Sequence, residues 1–134
     1  MSRMIFVNLP VTDLPRARGF YEGLGFTINE KFSNDKAACA VVSETICIMV
    51  LTRGFFGGFC ALPVGDPSKA TSALVGLSCE DRVAVDAMAE AALAHGGSAV
   101  RPAEDLGFMY QRSFADPDGN VFEPFWMDPA VATG

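Results

Sequence analysis

One pattern of residues occurs twice in this chain, displaced by 68 positions, and it restricts the fold more than any other feature. Leu9, Val11 and Asp13 correspond to Leu77, Cys79 and Asp81. The set Ala17, Phe20, Tyr21 and Leu24 corresponds to Val85, Met88, Ala89 and Ala92, and both have the i, i+3, i+4, i+7 spacing of one apolar helical face. Asp13 and Asp81 each stand where a carboxylate caps a helix by accepting from a backbone N–H of the first turn. Pro15 sits in the first turn, where its missing donor does no harm. Gly25 and the pair Gly96–Gly97 supply the stops.

Strand patterns flank both helices. Met4 to Val11 alternates, and Phe26 to Lys31, Ala37 to Val42 and Thr45 to Leu51 read as three strands after the first helix. Ser98 to Arg101, Phe108 to Phe114 and Val121 to Trp126 read as three after the second. Each half is therefore βαβββ, and the fold class is α+β. One such half leaves an apolar sheet face in need of cover, so two halves are expected to form a single cooperative domain over 1–134. Its expected parts are a first module (1–52), a connector (53–70) rich in Gly, Pro and Phe, a second module (71–128) and a tail (129–134).

Composition narrows the function classes. Half of the residues are hydrophobic and 19% are charged, which suits a packed core. A net charge of −6 and the lack of any basic cluster beyond Arg16 and Arg18 argue against a nucleic acid partner. The longest apolar run, Ile46 to Leu51, is far too short for a membrane span, and the start has no apolar segment of signal-peptide length. A cytoplasmic location is expected. Cys39, Cys47, Cys60 and Cys79 lack CxxC spacing and are expected to be free thiols.

The segments FVNLPVTDLPRARGFYEGLGF and RSFADPDGNVFEPFWMDP, together with the repeat, resemble the vicinal oxygen chelate superfamily, which includes glyoxalase I, extradiol dioxygenases and bleomycin-resistance proteins. The resemblance spans nearly the whole chain. It implies two βαβββ modules forming a curved mixed sheet around a cavity, the glyoxalase/bleomycin resistance/dioxygenase fold, and a homodimer. In metal-dependent members of that group, four ligands come from the first and last strands of each module. The matching positions here are Phe6, Met49, Leu74 and Glu123. Only Glu123 offers a donor suited to a hard or borderline divalent ion, so neither a metal site nor another cofactor is expected.

With its expected neighbours apolar, Glu123 reads either as a general base of raised pKa or as a structural acceptor. Alternation places it with Val121 and Phe125, opposite Phe122, Pro124 and Trp126, and Pro124 predicts a bulge. Phe6, Met49 and Leu74, with Asn8 beside Phe6, are expected to line a ligand cavity. Tyr110 and Arg112 either face inward, where Arg112 clamps an anionic group, or face outward as a phenol and a solvated charge. Phe55 and Phe56, within the glycine-rich run 54–59, read either as a lid that stacks on a flat ligand or as buried connector. His95, at the end of the second helix, suits a helix C-terminus better than a catalytic dyad. The turn Asp116-Pro117-Asp118-Gly119 lacks the ligands of a calcium loop.

The sequence thus points to a metal-free protein that binds a small, partly apolar or aromatic molecule, sequestering it or acting on it through Glu123. The alternative is a divalent-metal-dependent lyase, isomerase or dioxygenase of the lactoylglutathione lyase type.

Overall fold

In a computed structural model that describes residues 2–132, the chain divides into two compact units, Met1–Ala70 and Thr71–Gly134. In the first, strand β1 (Ile5–Val11) leads into helix α1 (Leu14–Gly23), followed by β2 (Thr27–Ile28), a 3-10 turn (Glu30–Phe32), β3 (Ala37–Ser43), β4 (Ile46–Thr52) and a short helix α2 (Arg53–Gly57). The sheet order is β1-β4-β3-β2, with β1 parallel to β4 and the other pairs antiparallel.

The second unit repeats the plan with more interruptions. Strand β5 (Leu74–Ser78) precedes helix α3 (Arg82–Ala94), and then come β6 (Ser98–Ala99), β7 (Glu104–Asp105), β8 (Met109–Gln111), β9 (Phe114–Ala115), β10 (Val121–Met127) and a last helical turn α4 (Pro129–Ala132). Strand β10 is central: β5 pairs with it in parallel, while β8 and β9 pair with it antiparallel and end to end. The fold is α+β, two βαβββ modules in chain order.

The predicted caps are present in both units. Asp13 accepts from the Arg16 N–H at 3.0 Å and Asp81 from the Ala84 N–H at 2.8 Å. Gly25 and Gly96 adopt φ of +98° and +99° after the two helices, a conformation that a Cβ disfavours. His95 caps α3, with its Nδ1 2.8 Å from the Ala91 carbonyl oxygen.

The two cores exchange bulk between helix and sheet. In the first unit α1 supplies Phe20 and Tyr21, edge to face at 5.0 Å, and the sheet supplies the small Ala38 and Ala40 along with Ile48 and Val50. In the second, α3 supplies Val85, Ala89 and Ala92, while the sheet supplies Phe114 and Phe122, stacked at 5.5 Å. Large groups opposite small ones keep both interiors close-packed, and each buried aromatic contributes about 1.5–3 kcal/mol by leaving water.

Several local expectations are corrected. The strand expected over Phe26 to Lys31 stops at Ile28, because the Asn29 side chain accepts from the Lys31 N–H and starts the 3-10 turn. The strand expected over Ser98 to Arg101 is two residues long. The strand expected over Phe108 to Phe114 is split at Arg112 and Ser113. No bulge accompanies Pro124: β10 keeps one register through β9 and β8 (Phe122↔Phe114, Phe125↔Gln111). Its missing N–H falls where the partner strand breaks, and its carbonyl still accepts from the Arg112 N–H at 3.1 Å. Part of the connector is helical, and Arg53 ties it down by donating to the carbonyls of Val64 and Gly65. The last two residues of the expected tail lie outside the described range, and no helix among the described residues is long and apolar enough to cross a membrane.

Candidate functional site

Alternation along β10 separates two faces. Phe122 and Pro124 are fully buried on the α3 side with Phe114, whereas Glu123 stands on the other face, its side chain 14% exposed. Val121 pairs with Leu74 and Glu123 with Gly76, so Leu74 and Glu123 share a face. Gly76 contributes no side chain, and the Phe125 ring lies 3.5 Å from where its Cβ would stand. The carboxylate therefore has an aromatic neighbour on its own strand and bare backbone across from it.

Its surroundings are not purely apolar. Arg101 donates through Nη2 to Glu123 Oε2 at 2.9 Å. The backbone of Arg101 is held by Ser113: its N–H donates to Ser113 Oγ at 3.1 Å, and that hydroxyl donates to the Arg101 carbonyl at 3.4 Å. Ser113 belongs to the break between β8 and β9. Arg101 therefore meets Glu123 where the backbone ladder is interrupted.

On the α3 side, Tyr110 and Arg112 converge on the helix. The Tyr110 hydroxyl donates to Asp86 Oδ1 at 2.7 Å, and Arg112 donates to Asp86 Oδ1 at 3.1 Å and to Glu90 Oε2 at 3.0 Å. Asp86 and Glu90 are one helical turn apart, so a guanidinium fork spans both. The Tyr110 bond, more than Arg112, holds the Asp86 carboxyl below its ordinary range, and the same bond raises the Tyr110 hydroxyl. The Arg112 side chain is 23% exposed and doubly paired, so the outward reading as a solvated charge is corrected. It is equally not an unoccupied clamp. Arg82 braces this region, lying 5.5 Å from the Tyr110 ring centroid and 5.1 Å from that of Trp126 while pairing with Asp105.

Between α3 and the segment after β6 runs an open groove of about 620 Å³, lined by Asp86, Glu90, Arg101, Tyr110, Arg112 and Ser113 together with two alanines and a proline. Of the sequence candidates it brings together Tyr110 and Arg112, and it reaches Glu123 only through Arg101. Asp86, Glu90 and Arg101 escaped sequence reasoning. The i, i+4 spacing of the two acids was legible, but nothing local says which arginine they meet.

The remaining candidates lie in the first unit. Phe6, Asn8 and Met49 share one sheet face, since Asn8 pairs with Met49 and Phe6 with Cys47. Phe6 is 51% exposed, and the Asn8 side chain donates to the Phe6 carbonyl at 3.3 Å. Phe55 and Phe56 are half-buried in α2, where Phe55 meets Phe59 edge to face at 5.2 Å. Cys39 and Cys47 lie on the same face of β3–β4, both buried. Burial first, and Cys47 second, push the Cys39 thiol up to about 11.

A divalent metal does not fit the donor set. Phe6 and Leu74 offer no lone pair, Met49 offers only a thioether, and Glu123 is engaged by Arg101. Among the described residues no group of three or more His, Cys, Asp or Glu side chains is placed to hold an ion.

Comparison with solved structures yields the same architecture. A glyoxalase-related enzyme from Fulvimarina pelagi superposes with a TM-score of 0.78 at 21% identity, covering 94% of this chain and 88% of its own. A glyoxalase/bleomycin resistance protein/dioxygenase family enzyme from Burkholderia phytofirmans gives 0.75 at 20% identity, covering 94% and 99%. The fosfomycin resistance protein FosX from Mesorhizobium loti gives 0.66 at 18% identity, covering 100% and 97%. None of the curated proteins compared with the sequence matches it significantly. The model of one family matches residues 3–123, nearly the whole chain. The chain belongs to the Glyoxalase/Bleomycin resistance protein/Dioxygenase superfamily.

Proposed function

We propose that this chain is a metal-independent member of its superfamily that binds a small, partly apolar or aromatic molecule, with Glu123 as the polar group that meets it. The observation that carries this reading is the state of the four positions where relatives hold metal. Three carry Phe6, Met49 and Leu74, and the fourth, Glu123, is already matched by a guanidinium at 2.9 Å. Apolar side chains with few polar groups among them suit small-molecule binding. Chemistry through a Lewis acid asks for donors this set lacks. In this reading Glu123 accepts the proton of a ligand that offers an acidic C–H, N–H or O–H.

The test is elemental analysis of protein purified without chelator, followed by thermal shift with a panel of aromatic carboxylates and phenols. A ligand at about one hundred times its Kd adds roughly 2.7 kcal/mol to stability, which the melting temperature registers. Stabilisation by such a compound with no bound metal supports the proposal. Stoichiometric nickel, zinc, iron or manganese overturns it in favour of a metal-dependent lyase, isomerase or dioxygenase. A homodimer is part of the same proposal: Ile5 and Phe6, on edge strand β1, are both more than half exposed. Light scattering on the purified protein decides that point.

A further inference from the structure

We infer that Arg101 is an oxyanion receptor shared between Glu123 and the ligand: a small molecule carrying a carboxylate or phosphonate enters the groove beside α3, takes the guanidinium, and leaves Glu123 without its counter-ion. This rests on Glu123 being the functional carboxylate proposed above, and it names the ligand class.

The two arginines of the groove are in different states. Arg112 is held through both terminal nitrogens, one on Asp86 and one on Glu90, and only 23% of its side chain is exposed. Arg101 makes one side-chain bond, through Nη2 to a single oxygen of Glu123, and its side chain is 43% exposed. A guanidinium carries five N–H donors in a planar fork that matches two oxygens of an oxyanion at once. Its present partner uses one of them. A ligand that engages the fork with both oxygens therefore gains a bond over the one it displaces.

The setting favours this exchange at Arg101 in particular. Ser113 fixes its backbone on both sides, so the guanidinium can leave Glu123 without the segment unfolding. The charged side chains lining the groove are two carboxylates, Asp86 and Glu90, and two guanidiniums, Arg101 and Arg112. An arriving anion thus meets no net negative wall, and the second carboxylate oxygen of the exposed Glu90 remains on hand for a donor group on the same molecule. The exchange releases the Glu123 carboxylate from Arg101.

The experiment is a titration of the full chain with benzoate, phenylphosphonate and phenol, followed by backbone amide NMR. Both oxyanions are expected to shift the amides of Arg101 and Ser113. Arg101→Gln is expected to weaken their binding by about tenfold, the scale of a lost charge-assisted bond. Glu123→Gln is expected to tighten it by about threefold or more, because the internal competitor for the guanidinium is gone. Phenol, which has the ring without the oxyanion, should respond to neither substitution. If Arg101→Gln fails to fold, Arg101→Lys keeps the charge, loses the fork, and should still weaken both oxyanions. Preference for benzoate or for phenylphosphonate identifies which anion the groove takes. No binding of either oxyanion to the unaltered protein, shifts confined to other residues, or unchanged or weaker binding in Glu123→Gln each overturns the inference. These results leave the metal analysis untouched, so the two proposals fail separately.

Discussion

The Tyr110 hydroxyl and the Asp86 carboxylate, both lining the groove, meet at 2.7 Å and join β8 to α3. The bond has opposite consequences at the two ends of the pH scale. Asp86 titrates below its ordinary value, so its contribution is present above about pH 4 and is lost as pH falls through the lowered pKa. Tyr110 titrates above its ordinary value, so its contribution is present below about pH 10 and is lost as pH rises through the raised pKa. Tyr110→Phe should cost about 1 kcal/mol of unfolding free energy and move the Asp86 titration upward. Denaturant unfolding and carboxyl NMR measure the two effects, and an unmoved Asp86 titration would falsify the assigned bond.

Phe122→Ala removes a ring that is fully buried and stacked on Phe114. The loss of transfer energy and the cavity left behind should together cost about 3–5 kcal/mol. Urea unfolding of the variant checks this, and a cost below 1 kcal/mol would mean that the second core does not depend on that stack.

The repeated caps give a paired prediction. Asp13→Ala and Asp81→Ala should each destabilise by about 1 kcal/mol, since each removes one acceptor from the first turn of its helix. Asparagine at either position should recover most of the loss. Thermal unfolding of the four variants settles whether the two caps are equivalent.

Cys39 should resist alkylation. With its pKa pushed up to about 11 by burial and by Cys47, only about one part in a thousand is thiolate at pH 8. Iodoacetamide at that pH, with peptide mass mapping, should label Cys39 in denatured protein and hardly at all in folded protein. Rapid native labelling would contradict the burial described for β3.

The fold was legible because its signals are local and duplicated. Asp13 and Asp81, the two apolar helical faces and the terminal glycines each announce a helix, and finding them twice fixed the modular plan. What escaped was decided by a side chain competing with the ladder or by partners far apart in the chain. Asn29 ends β2 by turning its own amide oxygen onto the backbone, a local signal overshadowed by an apolar run. Ser113 breaks the β8–β9 strand by bonding to Arg101, 12 residues earlier. The site was less legible for the same reason. Glu123 and its strand face follow from alternation, whereas the link of Arg101 to Glu123 spans 22 residues and depends on where a loop returns.

Strand β10 divides its labour residue by residue. Phe122 and Pro124 anchor the interior, and the residues between them, Val121, Glu123 and Phe125, point the other way. Mutation can therefore rewrite the chemistry offered at alternate positions while the anchors stay in place. A lineage built on this strand can lose one reactivity and acquire another without passing through an unfolded ancestor.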